Sequence, residues 1–210
     1  MVTRGRFLSI EGGEGAGKST QVRRLADALR ARDIELIVTR EPGGSDGAEA
    51  IRDLLMQGTV NRWSAHTEAL LFAAARADHV EKVIQPAIGV GTWVISDRYI
   101  DSSRAYQGMA GGIDDAAVLA LHGFGSRGLM PDRTLVLEVP PELGAARASS
   151  RDGAGADRFA ARERAFHEDV AAAFRRFAQA EPDRVRLIDA SGDADTVAAA
   201  LLAEIADLLP

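Results

Sequence analysis

The chain has 210 residues, which suits one α/β domain with a buried core, and its 46% hydrophobic and 27% charged residues are typical of a folded globular protein. Its formal net charge of -6 provides no overall positive field to attract polymeric nucleic acid or an anionic membrane. The composition contains no cysteine, which excludes disulfides and thiolate sites, and no apolar run has the length of a signal-peptide core or a membrane span, so we expect a cytoplasmic protein.

Short apolar runs rich in β-branched residues alternate with longer segments of helical periodicity. This alternation predicts a single α/β domain over residues 1–210, with a five-stranded parallel sheet flanked by helices. The predicted strands are Phe7–Glu11, Glu35–Thr39, Trp93–Asp97, Arg133–Val139 and Val185–Asp189. The predicted helices are Lys18–Arg32, Asp46–Met56, Thr67–Ile88 with Pro86 near its end, Asp114–Phe124, one that includes Phe166–Phe177, and Thr196–Leu208.

The first strand leads into a glycine-rich segment, IEGGEGAGKST, which fits the phosphate-binding pattern G-x-x-x-x-G-K-[ST] between a strand and a helix. In such a P-loop, backbone N–H groups point at phosphate oxygens and the helix N-terminus adds positive partial charge. Lys18 is expected to reach the β and γ phosphates of a nucleotide, and the Ser19 hydroxyl to ligate Mg²⁺. The predicted ATP-binding residues are Gly12, Gly13, Glu14, Gly15, Ala16, Gly17, Lys18, Ser19 and Thr20.

The third predicted strand, WVISD, ends in a carboxylate. At the carboxyl edge of a parallel sheet, Asp97 is expected to hold Mg²⁺ together with Ser19, through oxygen or through water. Arg98 follows at once, and it either forms a surface ion pair or clamps a second phosphate group with its planar fork. A GTPase of the common type would carry an Asn-Lys-x-Asp element, but the one lysine outside the P-loop, Lys82, lies in Glu-Lys-Val.

Four stretches together point to one family. They are TREPGG at Thr39–Gly44, LLFAAARADH at Leu70–His79, ISDRYIDSSRAYQG at Ile95–Gly108, and DRF with a downstream AFHEDV in the last third. These stretches resemble the thymidylate kinases, which convert dTMP to dTDP in pyrimidine deoxynucleotide synthesis. The resemblance implies a P-loop nucleoside-monophosphate-kinase fold with a mobile lid at about residues 147–160. It also implies ATP as phosphate donor, Mg²⁺ as cofactor and a homodimer.

The resemblance implies that the side chains of the second and third stretches, with those of TREPGG, bind dTMP. Arg98 would bind the dTMP phosphate, assisted by Arg40 and Glu41. Phe72 would stack on the thymine ring, and Arg76 would hydrogen-bond its O4 edge. A pyrimidine does need an aromatic face and edge donors, and these two residues lie four apart on one helix face.

The third stretch is implied to complete the recognition of the nucleotide. Ser103 and Gln107 would read the remaining polar groups of the base, and Tyr106 would pack where a ribose 2′-hydroxyl would otherwise lie. The residues between these contacts are expected in a loop or at a helix start; they are Asp101, Ser102 and Arg104.

Catalysis is expected to need positive charge rather than a general base, because a phosphate monoester is mostly dianionic near neutral pH. Some thymidylate kinases carry an arginine in the P-loop, and others carry an acidic residue there and take the arginine from the lid; with Glu14, this chain resembles the second type. Arg151 is the predicted lid cation, and Arg147 and Arg158 are supporting candidates. The predicted catalytic residues are Lys18, Arg98 and Arg151.

Two other functions remain open at this point. One is a P-loop kinase for a different nucleotide or nucleoside, which would share Lys18, Ser19 and Asp97 without the base-reading set. The other is a non-catalytic nucleotide switch, which would have no use for a second phosphate clamp. The segment SSRDGAGAD at Ser149–Asp157 reads equally as a surface loop or a lid, and the histidines lack ligand spacing. The expected partners are dTMP and ATP, without nucleic acid polymer or membrane.

Overall fold

The computed structural model describes residues 4–59, 61–151, 162 and 164–210, with the backbone alone at 148–151. Its strands form one parallel sheet in the order β2-β3-β1-β4-β5. The strands are β1 (Phe7–Gly12), β2 (Leu36–Arg40), β3 (Trp93–Asp97), β4 (Arg133–Glu138) and β5 (Val185–Asp189). The helices are α1 (Lys18–Arg30), α2 (Asp46–Met56), α3 (Ala65–His79), α4 (Gln85–Gly89), α5 (Ile100–Ser103), α6 (Asp115–Ser126), α7 (Pro141–Arg151), α8 (Arg164–Ala180) and α9 (Ala194–Ala203), with π-helical turns at Val80–Ile84 and Arg104–Met109 and a 3₁₀ turn at Ala206–Leu208.

The predicted five-stranded parallel sheet is confirmed, and strand ends differ from the predicted ones by one residue at most. The helix predicted over Thr67–Ile88 is interrupted by the π turn at Val80–Ile84. Pro86 explains the interruption, because its nitrogen cannot donate to the carbonyl of residue 82 and the preceding turn widens. Two helical regions were not predicted: α7, and α5 with its π turn.

The sheet is buried on both faces, since successive residues of a strand point to opposite sides. On one face, Ile10 belongs to a core formed with α1 and α9. On the other face, Phe7 belongs to a core with α4 and α6, and Val136 to a core with α8. No helix in the described part of the chain is long and apolar enough to span a membrane.

The start of α1 differs from the starts of other helices in the way its first N–H groups are satisfied. Side-chain oxygens cap the first turns of four helices; the capping residues are Ser45, Ser64, Asp114 and Asp193. Helix α1 instead begins after Gly17, which has φ +87° and provides no side-chain cap. Its first N–H groups are therefore left for a ligand. A Cβ on Gly15 would lie 1.9 Å from the carbonyl oxygen of Gly144, so the P-loop packs directly against α7.

A buried ionic cluster holds α5 to the sheet. Asp101 is fully buried and accepts hydrogen bonds from Arg184 at 2.6 and 3.0 Å, from Arg104 at 3.0 Å and from the Thr134 hydroxyl at 2.9 Å. Burial opposes the charge of Asp101, but the hydrogen bonds and charges of Arg184, Arg104 and Thr134 together outweigh it and lower the pKa of Asp101. Asp101 and Arg104, which were expected in a loop or at a helix start, thus anchor α5 and the following π turn to the sheet.

Asp101→Asn is expected to destabilise the protein by about 3–5 kcal/mol, because it removes the fully buried carboxylate of the cluster and leaves Arg104 and Arg184 only the partly exposed partners Asp115 and Glu181. For a chain of this size, that corresponds to a fall in Tm of roughly 10 °C, measurable by calorimetry. A lowered folded-state pKa stabilises the native state above the ordinary value of 3.8, and this contribution is lost as pH falls through the folded value. The Tm difference between wild type and variant should therefore narrow below pH 3.8; an equal Tm at pH 7 would contradict the role of the cluster.

Candidate active site

The P-loop side chains take up the positions that a phosphate cradle requires. The Lys18 ammonium lies over the loop and donates to the carbonyl oxygens of Gly12 at 3.1 Å and Gly13 at 2.8 Å. Burial, together with the charge of Arg98, lowers the pKa of Lys18 to about 8. Phosphate oxygens would offer the ammonium a stronger acceptor than these carbonyls.

Two oxygen ligands of the kind that Mg²⁺ prefers meet at the start of α1. The Ser19 hydroxyl donates to the Asp97 carboxylate at the end of β3, with 3.1 Å between the oxygens. Among the described residues, no group of three or more His, Asp or Glu side chains could hold a metal ion. A pair of oxygens fits Mg²⁺ bound to a nucleotide, since this ion keeps several waters and takes further ligands from phosphates.

Arg98 lies where the two halves of the site meet. Its φ of +71° is the left-handed region, which is strained for a residue with a side chain and is common at functional sites. The backbone N–H donates to the carbonyl of Ile10 at 2.9 Å, which fixes the turn against β1. The guanidinium donates to Ser102 at 3.1 Å and to Glu14 at 3.3 Å, and its carbon lies 5.1 Å from the centre of the Tyr106 ring.

Glu11 supports this turn and was missed by sequence reasoning. Its carboxyl group is fully buried and accepts from the backbone N–H of Tyr99 at 2.7 Å and from the hydroxyl of Ser102 at 2.5 Å. Burial raises the pKa of Glu11 to about 8, against the opposing charge of Arg98. Glu11 therefore adds less negative charge to the site than an exposed glutamate would. A single glutamate at the end of an otherwise apolar strand was the sequence feature that could have indicated a buried functional carboxyl group.

A cavity beside Arg98 brings most of the implied dTMP-binding residues together. It is lined by Glu14, Glu41, Pro42, Arg52, Met56, Phe72, Arg76, Arg98, Tyr99, Ser102, Ser103, Tyr106 and Gln107. Arg40 is the implied residue that does not line it. Its side chain is 56% exposed and pairs with Glu49 at 3.0 Å. Arg52, on α2, also lines the cavity. It belongs to no motif in the sequence, so sequence reasoning missed it.

The buried side chain of Arg76 is oriented from two sides. Its Nε donates to Glu41 at 2.8 Å, and its Nη2 donates to Ser103 at 2.9 Å and to the carbonyl of Tyr99 at 3.3 Å. Its Nη1 makes no hydrogen bond to the described residues, and it is the donor available to a ligand. Glu41 also accepts a hydrogen bond from the Nδ1 of His79 at 3.1 Å, so its direct partners are these two side chains rather than Arg98.

The π turn at Arg104–Met109 carries Tyr106 and Gln107, two further residues of the set that the sequence implied for binding the nucleotide. Tyr106 and Phe72 belong to one apolar cluster at the cavity wall. The Tyr106 hydroxyl is buried and has no hydrogen-bond partner among the described residues. Because an unpaired buried hydroxyl is costly, this atom is a candidate for contact with a ligand. Gln107 also lines the cavity, and its Nε2 donates to Glu68 at 3.0 Å.

The lid candidates are only partly placed. Arg147 donates to the carbonyl oxygen of Ala190 at 2.8 Å and to those of Ser191 and Gly192 at 3.3 Å, so it ties α7 to the loop after β5. The side chain of Arg151, at the end of α7, and the whole of Arg158 lie outside the described residues. Residues 141–151, in part expected as a lid loop, are helical.

Comparison with known proteins gives a consistent result. A family model described as thymidylate kinase matches residues 10–201. The chain is 56% identical to a thymidylate kinase of Rhizorhabdus wittichii over 98% of this chain and 99% of the relative, and 51% identical to one of Caulobacter vibrioides over 95% of each. A crystal structure of thymidylate kinase from Ehrlichia chaffeensis aligns over 97% of this chain and 99% of that one, with 28% identity and a TM-score of 0.77.

Proposed function

The chain belongs to the thymidylate kinase family, and from that premise we propose that the cavity beside Arg98 is its dTMP site and the P-loop its ATP site. As a thymidylate kinase, it transfers the γ-phosphate of ATP to dTMP, giving dTDP and ADP. The observation that carries the site assignment is the cavity itself. Its lining combines the phosphate-clamp candidate Arg98 with the base-reading candidates Phe72, Arg76 and Gln107.

The two sites are contiguous through one ion pair. Glu14 belongs to the P-loop and Arg98 to the cavity, and their side chains are 3.3 Å apart. A dTMP phosphate bound by Arg98 would therefore lie beside the phosphates held by the P-loop. Holding two anionic groups in line in this way supplies much of the catalysis in phosphoryl transfer.

Each side chain then has a definite task in the reaction. Lys18 moves from the loop carbonyls to the phosphates of ATP, and Arg98 holds the acceptor phosphate. The dTMP phosphate is already mostly dianionic near neutral pH, so one of its oxygens attacks the γ-phosphorus of ATP without a general base, and ADP leaves. We propose that Ser19 and Asp97 hold Mg²⁺, which supplies charge neutralisation on the phosphates when bound. A cytoplasmic location is part of this proposal, since ATP and dTMP are intracellular metabolites.

A nucleotide panel tests the assignment. ADP release should be measured with ATP, Mg²⁺ and one of dTMP, dUMP, UMP, dCMP, GMP or thymidine. We expect the highest kcat/KM with dTMP, and lower activity with UMP than with dUMP if Tyr106 excludes the 2′-hydroxyl. Use of thymidine in place of dTMP would remove the phosphate-clamp role from Arg98. ADP release that no acceptor stimulates would contradict the proposed sites as a whole.

We propose that the protein is a homodimer packed through α3 and α6. These helices lie side by side, since a Cβ on Gly125 would lie 3.2 Å from the Cβ of Ala77. Leu70 on α3 is 55% exposed and Phe124 on α6 is 93% exposed. Large apolar side chains exposed on two adjacent helices, one of them an almost fully exposed phenylalanine, support a protein contact at this face.

Phe124→Asp is expected to convert the dimer to a monomer. In an interface with two-fold symmetry each substitution occurs twice, and both introduced carboxylates would be buried without partners. Light scattering after size-exclusion chromatography measures the mass. Val90→Asp, at a position that is 70% exposed after α4, provides the matched control and should leave the mass unchanged. A dimer that survives Phe124→Asp would place the interface elsewhere.

A further inference from the structure

A buried carboxylate lies behind the base-reading wall of the cavity. Glu68, one turn before Phe72 on α3, is 3% exposed and does not line the cavity. It accepts a hydrogen bond from the Gln107 Nε2 at 3.0 Å. The Nη2 of Arg162 donates to both oxygens of Glu68 at 3.2 Å, and this guanidinium also covers the Phe166 ring at 4.4 Å.

Glu68 determines the orientation of the side-chain amide of Gln107. The two ends of a glutamine amide have nearly the same shape, and only hydrogen bonding distinguishes them. An ionised carboxylate accepts hydrogen bonds and cannot donate one, so the NH₂ end of Gln107 must turn towards Glu68. The carbonyl oxygen Oε1 is then the atom of this amide available to a base in the cavity. Arg162 supplies this buried carboxylate with a countercharge.

The cavity consequently offers a defined pair of hydrogen-bonding atoms. The Nη1 of Arg76 is a donor, and the Oε1 of Gln107 is an acceptor. Thymine and uracil present the complement, an O4 acceptor next to an N3–H donor. Cytosine presents the reverse, an amino donor next to an N3 acceptor, and would leave buried groups facing like groups. If the amide of Gln107 could turn over, half of this discrimination would be lost.

We propose that Glu68 is a positioning residue that sets the base specificity of the enzyme by fixing the Gln107 amide. The proposal rests on the assignment of the cavity as the dTMP site. It separates two roles on one helix: Arg76 and Phe72 contact the base, and Glu68 acts on the base through Gln107.

The ratio of kcat/KM for dTMP to kcat/KM for dCMP tests this role. Glu68→Gln preserves the shape of the side chain but can either accept from Gln107 or donate to it, so both amide orientations become available. We expect the ratio to fall at least tenfold, which is about 1.4 kcal/mol of lost discrimination. Glu68→Met, which removes the acceptor and keeps the volume, should give a similar fall and serves if the first variant does not fold. Glu81→Gln, at an exposed glutamate, is the matched control and should leave the ratio unchanged.

A double-mutant cycle separates positioning from packing. In a Gln107→Met background there is no amide to orient, so Glu68→Gln should have no further effect on the ratio. A Glu68 variant that loses activity equally with both nucleotides would reduce Glu68 to a structural role and overturn the proposal. A wild-type enzyme that does not distinguish dTMP from dCMP would instead contradict the assignment of the dTMP site. A selective wild type with an equally selective Glu68→Gln variant would overturn the role of Glu68 alone.

Discussion

Arg98→Ala is expected to lower kcat/KM for dTMP by about 10³-fold. A guanidinium makes two charge-assisted hydrogen bonds to a phosphate, each contributing roughly 1.5–3 kcal/mol, and together these correspond to about 10² to 10⁴ in rate or affinity. The substitution also leaves Glu14, now 3.3 Å from the guanidinium, without that cation and next to the incoming phosphate. Steady-state kinetics with varied dTMP measure the effect.

Two controls isolate the phosphate contact. Alanine at this position is strained by the φ of +71° as arginine is, whereas glycine would relieve the strain, so Arg98→Ala changes the backbone energy little. The affinity for ATP should remain within a fewfold of wild type, because Lys18 and the P-loop backbone are unchanged. Adding Glu14→Gln to Arg98→Ala should recover part of the loss by removing the repulsion. A loss below tenfold, or an equal loss of ATP affinity, would mean that Arg98 does not clamp the acceptor phosphate.

The sheet and the P-loop were predictable because their signals are local. A β-branched apolar run such as Trp93–Asp97 and a glycine pattern ending in Lys18 and Ser19 each lie within a dozen residues. The strand ends lie within one residue of the predicted ends, because each strand ends on a polar residue or a glycine. Local patterns do not specify the π turn at Arg104–Met109, since a widened turn depends on what its side chains contact.

Long-range contacts explain the parts of the site that the sequence did not indicate. Arg40 is next in sequence to Glu41, which lines the cavity, yet its own side chain points to the surface and pairs with Glu49. Asp101 was expected in a loop or helix start, but the arginine that binds it twice is 83 residues away. Glu68 and Gln107 are 39 residues apart, and no spacing rule relates them. Such pairs become visible only when the fold brings their elements together.

The remaining question in the active site is which cation stabilises the charge that develops on the transferred phosphoryl group. In the proposed mechanism Lys18 binds the donor phosphates, and the guanidinium of Arg98 donates to Ser102 and to the P-loop residue Glu14. Arg147 is engaged with backbone carbonyls of the loop after β5. Helix α7 starts against the P-loop, through Gly15, and ends at Arg151. This course supports Arg151 as the lid cation.

Arg151→Ala is therefore expected to lower kcat by about 10³ to 10⁵, the range for an arginine that stabilises the transition state of phosphoryl transfer. The KM for dTMP should change only a fewfold, because the described residues that line the proposed dTMP cavity lie on other elements than α7. Arg151→Lys should recover part of kcat, since it restores the charge but not the planar fork. Arg147→Ala is the matched control on the same helix: it should reduce thermal stability and leave kcat within tenfold. If Arg158→Ala abolishes turnover while Arg151→Ala does not, the catalytic cation is Arg158.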